Sequence, residues 1–194
     1  MHIADGIVPL ELAAAGWVVS VTATHLLGRN LEADEVPRLG MLSAAAFVIS
    51  MAQFPVAGVS MHLGLHGLLG VLLGRRAFPV VFATLCLQAL LQHGGFLALG
   101  LNAFNMGAGA LLGWGVWSLS RLPSAIRAFA AGFIGSLVPA LLMAAEFSLS
   151  GYGRGFFFIA GVYAIVALVE GAVATAAVGF FRRAKPELLP QASA

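Results

Sequence analysis

The chain has 194 residues, 60% of them hydrophobic and 9% charged, with a formal net charge of +2 and a mean hydropathy of +0.97. About a quarter of the residues of a soluble domain are charged, so this composition excludes a water-soluble globule and points to an all-α, polytopic transmembrane bundle of about seven helices. The net charge says nothing in favour of nucleic acid, and no such partner is expected, because the few cations lie in short segments between apolar runs, where membrane topology accounts for them.

The N-terminus opens Met1-His2-Ile3-Ala4-Asp5-Gly6. A cleavable signal peptide has a basic start, and this one carries an acid and no Lys or Arg, so the first apolar run is expected to be a mature helix. A free α-amine, the amide nitrogen of residue 2 and the His2 imidazole can close fused chelate rings around one divalent ion. Such a near-planar nitrogen field suits nickel(II), copper(II) and, less strongly, cobalt(II).

Apolar runs place helices at about 8–27, 41–57, 60–74, 78–98, 101–119, 127–149 and 155–181, the third short against the roughly 20 residues a bilayer crossing needs. The stretch 28–40 reads as a charged linker, residues 1–185 as one membrane domain, and 186–194 as a short cytoplasmic tail. With the N-terminus outside, seven crossings bring Arg29, Arg38, Arg75, Arg76, Arg121, Arg127, Arg182, Arg183 and Lys185 to the cytoplasmic side and leave only Arg154 outside, as the positive-inside rule requires. The same topology gathers His2, His62, His66 and His93 at the outer ends of the helices and leaves His25 at an inner end. Cys86 is the only cysteine, so no intrachain disulfide can form.

His62 and His66 are spaced i, i+4, which on a helix places both imidazoles on one face. A zinc peptidase would carry a glutamate directly after the first of the pair. Leu63 stands there, so an intramembrane metalloprotease lacks its general base. His93 precedes Gly94-Gly95, a pair that breaks a helix and lets backbone approach backbone. Asn102 and Asn105, three apart at the start of the next helix, are candidates either to cap that helix or to orient metal-bound imidazoles. Glu170 falls in the middle of the last span, where a carboxylate is a candidate for function, with a hydrogen-bonded structural role between helices or a coupling role open to it.

Taken together, Met1-His2-Ile3, the segment Ser60-Met61-His62-Leu63-Gly64-Leu65-His66-Gly67-Leu68-Leu69-Gly70, the run from Gln88 to Gly95, the run from Leu99 to Met106 and Val169-Glu170-Gly171 resemble the substrate-binding membrane component of cobalt/nickel energy-coupling factor transporters. The resemblance covers Met1 to about Arg183. It implies that Met1, His2 and His62 hold a Ni²⁺ or Co²⁺ substrate, with His66, His93, Asn102 and Asn105 as secondary candidates. It also implies a transmembrane coupling protein and two cytoplasmic ATPases as partners, with a small accessory membrane subunit alongside them, in the plasma membrane of a prokaryote. The chain has no phosphate-binding G-x-x-x-x-G-K-[ST] segment, so it is not expected to be an enzyme. A binder of a vitamin or other non-metal small molecule on the same kind of scaffold is the alternative. His66 stands where the family leads one to expect a non-ligand such as asparagine.

Overall fold

The computed structural model describes residues 2–56, 59–151 and 155–190. In chain order these form α1 (Leu10–Gly28), α2 (Glu35–Met51), β1 (Gln53–Val56), β2 (Val59–His62), α3 (His66–Leu73), α4 (Ala77–Leu90), α5 (Leu99–Trp117), α6 (Ser124–Leu149) and α7 (Phe156–Ala184), with single 3-10 turns at Gly74–Arg76 and Pro186–Leu188. Among the described residues, four stretches are long and apolar enough to cross a membrane: Leu10–Gly28, His66–Leu90, Ser124–Leu149 and Phe156–Ala184. Val18, Leu90, Leu149 and Phe157 stay largely exposed. Apolar surface that is costly against water is at home against lipid.

α5 is the central element, packed on α1, α3, α4 and α6, while α7 lies along α6. Small residues permit the close approaches. A Cβ on Gly16 or Gly100 would strike the facing backbone of α5 or α1, and one on Gly67, that of α6. Two hydrogen bonds lock α1 to the start of α5, from Trp17 Nε1 to Leu97 O (2.9 Å) and from Ser20 Oγ to Gly100 O (2.6 Å).

Three segments differ from what the hydropathy pattern suggests. Helix α2 begins inside the expected linker, at Glu35, because Pro37 falls in its first turn, where proline's missing N–H costs nothing, and because Glu35 pairs with Arg76 at 3.1 Å. The expected helix over 60–74 is instead strand β2 followed by the eight-residue α3. Strand β2 pairs antiparallel with β1, Gln53 opposite His62 and Phe54 opposite Met61. At about 1.5 Å per residue α3 alone is far short of a bilayer's ~30 Å hydrocarbon core. The expected helix over 78–98 ends at Leu90, since Gln92 (φ +58°) and Gly94 (φ +95°) turn the backbone left-handed.

Arg76 and Arg38 sit away from the N-terminal segment, where α1 ends and α2 and α4 begin. Arg76, buried, donates to Leu27 O, Arg29 O and Asn30 O and so closes the C-terminus of α1. Arg38 donates to Leu72 O and Leu188 O, holding the chain after α7 against this same end. His25 lies in the last turn of α1, remote from His2. Tyr152 and Arg154 lie outside the described residues.

Candidate metal centre

The N-terminal segment is held by the helix bundle. The Asn102 side chain grips the backbone of Ile3 on both sides, its Oδ1 accepting from Ile3 N (2.8 Å) and its Nδ2 donating to Ile3 O (3.0 Å). Ile3 itself is fully buried. Two residues on, the Asp5 carboxylate accepts from Phe96 N (2.9 Å) and Ala98 N (3.0 Å), which places an anion at the N-terminus of α5, where free N–H groups and the helix dipole favour it. Gly95 lies against Asp5 so closely that a Cβ would collide with the carboxylate. Asn102 therefore neither caps its own helix nor turns an imidazole; it docks the tail that carries His2.

Three imidazoles meet there. His2, His62 and His93 each offer a ring nitrogen within 4.8 Å of the others. The rings of His2 and His62 stack at 5.0 Å with 21° between their planes, and His93 stands edge-on to His2 at 4.9 Å. His62 Nε2 lies 3.1 Å from His2 Nε2. His93 Nδ1 lies 3.3 Å from Gln53 Nε2, so the strand residue opposite His62 in the hairpin also steers His93. A Cβ on Gly94 would lie 3.4 Å from the His2 ring. Met1 lies outside the described residues.

Burial pushes the His2 imidazole well below its ordinary pKa and takes His62 down to about 3, while His93 shifts the same way for the same cause. All three are thus uncharged at neutral pH, each with a lone pair to give. Three neutral imidazoles can bind a borderline divalent cation.

Two left-handed residues frame the cluster. Leu65 (φ +51°) follows His62 by three positions and Gln92 immediately precedes His93. Non-glycine residues bear about 1 kcal/mol or more in this region and persist where the surroundings over-determine them. For Leu65 the restraint is Glu170. Its buried carboxylate accepts from Gly64 N (2.6 Å) and Leu65 N (3.0 Å), fixing the corner between β2 and α3 from the middle of α7. That corner also corrects the expected i, i+4 face: His62 ends a strand and His66 begins a helix, so the two rings share no helical surface. His66 is buried to the same degree as His62. Asn105 is engaged elsewhere, its Nδ2 donating to Glu146 Oε2 at 2.7 Å.

Asp5 and Gln53 are residues that motif reasoning passes over, and Gln88 enters it only as the first residue of a matching run. Their only signal in the sequence is a polar side chain inside or beside an apolar run. What gives them a place is the partner each meets across the bundle.

Fold and site together define a polytopic helical membrane protein with a pinned N-terminal segment and a three-imidazole cluster fit for a divalent metal. Residues 2–188 match the family of the cobalt uptake substrate-specific transmembrane region, and the chain belongs to that family. It is 31% identical to a putative fused nickel transport protein NikMN of Archaeoglobus fulgidus, over all of this chain and 70% of the relative. It is 32% identical to a cobalt transport protein CbiM of Sorangium cellulosum, over 97% of this chain and 94% of the relative. A crystal structure of a transition metal transporter superposes with a TM-score of 0.83 at 26% identity, covering 94% of this chain and 93% of that one. The chain is a membrane component of cobalt/nickel uptake.

Proposed function

We propose that this chain is the substrate-capture component of an energy-coupling factor transporter, binding Ni²⁺ or Co²⁺ through the Met1 amine, the His2 amide and imidazole, and the His62 imidazole. The observation that carries the reading is the docked tail: Asn102 and Asp5 hold residues 3 and 5 so that the His2 ring lies 3.1 Å from that of His62. An ordinary N-terminal segment frays, whereas residues 3 and 5 here are hydrogen-bonded into the bundle. The contact joins the two Nε2 atoms, and a chelate through the His2 amide needs Nδ1. A half-turn of the His2 ring about Cβ–Cγ carries Nδ1 to the edge that Cδ2 occupies in the metal-free chain, so capture requires the His2 ring to re-orient. His93, poised edge-on, is the reserve donor.

Capture is ligand exchange. The ion sheds water, the His2 amide gives up its proton, and affinity rises with pH for that reason. An ionised amide in a four-nitrogen plane serves nickel(II) better than cobalt(II), and zinc, which favours a tetrahedron, least. Residues 1–185 act as one membrane domain with the histidine end outward, the Arg-rich end and the 186–194 tail cytoplasmic, and seven crossings of a prokaryotic plasma membrane. A coupling protein and two ATPases supply the energy.

Equilibrium binding of radioactive nickel and cobalt to the purified chain tests the site. One residue added ahead of Met1 abolishes tight binding and leaves the fold intact; undiminished binding by the extended chain refutes it. In a Cys86→Ala background, Tyr152→Cys reacts with an impermeant thiol reagent outside intact cells and Ser124→Cys does not. The opposite labelling refutes the orientation.

A further inference from the structure

Directly beneath the imidazole cluster lies a cavity of about 10 Å³, lined among others by His2, His62, His66, Ser50 and Gln88. That is about the room one water molecule occupies. Two atoms on its wall are buried with no hydrogen-bond partner: His66 Nδ1 and Gln88 Oε1. Their residues are 6% and 2% exposed. Gln88 spends its amide on Ser50 Oγ, which leaves its carbonyl oxygen over. Thr84, on the same wall, is already paired: Ser43 Oγ meets Thr84 Oγ1 at 3.0 Å, and Thr84 also donates to Val80 O at 2.9 Å. Among the described residues that line the cavity, the buried side-chain atoms left unmatched are thus His66 Nδ1 and Gln88 Oε1. The His66 ring cannot swing away, because Gly64 packs so tightly against it that a Cβ there would overlap the ring.

A buried polar atom left unpaired costs about 1–3 kcal/mol, and two of them facing one water-sized space define a site. We propose that this cavity holds a single water that donates one hydrogen to His66 Nδ1 and the other to Gln88 Oε1, and turns its lone pairs outward as an axial ligand for the captured ion. Two acceptors consume both of the water's hydrogens, so the oxygen that faces the cluster can only give electron density. The proposal rests on the capture of a divalent ion by His2 and His62, and makes His66 and Gln88 specificity-determining residues. Low-spin, square-planar nickel(II) gains nothing from an axial donor, while cobalt(II) takes a fifth ligand readily. The subsite therefore offsets part of the nickel preference that the planar nitrogen set creates.

The test uses the full chain with Co²⁺ alone or Ni²⁺ alone as probe, reading affinity by equilibrium binding and coordination number from the cobalt d–d absorption. Wild type shows a five- or six-coordinate cobalt spectrum. Gln88→Leu shifts it to four-coordinate and lowers the cobalt-to-nickel affinity ratio about tenfold, the usual scale for losing a group that orients a ligand. Gln88→Glu keeps an acceptor oxygen and keeps the ratio. His66→Phe fills the same space without an acceptor and repeats the Gln88→Leu result, so it carries the test should Gln88→Leu not fold. An unchanged cobalt spectrum and ratio in both variants overturns the proposal, as does an equal loss for both ions, which marks a packing effect. Wild type binding neither ion overturns the capture reading itself, a result distinct from a wild type that binds and variants that do not respond.

Discussion

Removing the Asn102 side chain tests whether the docked tail is what makes the N-terminus a binding site. The amide makes two hydrogen bonds to Ile3, at 2.8 and 3.0 Å, in a place only 3% exposed. Each is worth about 1 kcal/mol net, rising to about 1–3 kcal/mol where truncation strands a buried partner. Because the tail of Asn102→Ala can lift off and rehydrate Ile3, the loss is expected near the lower end, about 2–3 kcal/mol for the pair. That loss falls on docking of residues 2–5 and not on the helices, so it appears as a drop in Ni²⁺ affinity of about 30- to 150-fold. Equilibrium binding measures it, and amide exchange at Ile3 to Gly6 should quicken while exchange in α5 and α6 does not. Affinity within threefold of wild type would show that residue 2 reaches His62 without this clamp, and the reasoning would fail.

Glu170→Gln keeps the shape of the buried side chain but sets an amide N–H against a backbone N–H at Gly64 or Leu65. It should lower the melting temperature and weaken metal binding through the β2–α3 corner, and an unaltered melting curve would show that the corner holds without the carboxylate. Gly95→Ala drives a methyl group into Asp5 and should cost about 1 kcal/mol, as lost helix caps do; Asp5→Asn in the same background should add little if the carboxylate is already displaced. For pH, burial depresses His2 and takes His62 to about 3 in the folded chain, against about 6.5 for a free imidazole. The unfolded chain therefore gains protons that the folded one refuses, so the metal-free protein loses stability as pH falls below about 6.5, which thermal unfolding between neutral and acidic pH will show. With the imidazoles already neutral, Ni²⁺ binding near neutral pH should release no more than the amine and amide protons. Calorimetry in buffers of different ionisation enthalpy counts them, and a third proton refutes the assignment.

Composition alone decided that this chain belongs in a membrane, since 9% charged residues cannot cover a soluble core. Hydropathy also located α1, α5, α6 and α7 to within a few residues, because long apolar runs bounded by Gly, Pro or charge have few other solutions. His2 and His62 were legible as candidates from residue type and position, and His93 from its glycine pair. Nothing local marked the strand pair Gln53–Val56 and Val59–His62. Its residues are apolar enough to read as the end of one helix and the start of another, and only pairing between β1 and β2, with Glu170 securing the next turn, makes strand the better state. Likewise Asn102 reads as a helix cap or as a residue that orients an imidazole until Ile3, 99 positions away in sequence, is brought beside it. The sequence determined which side chains could bind a metal. The tertiary structure decided which of them meet, because a short polar side chain in an apolar bundle takes its role from whichever partner the packing delivers.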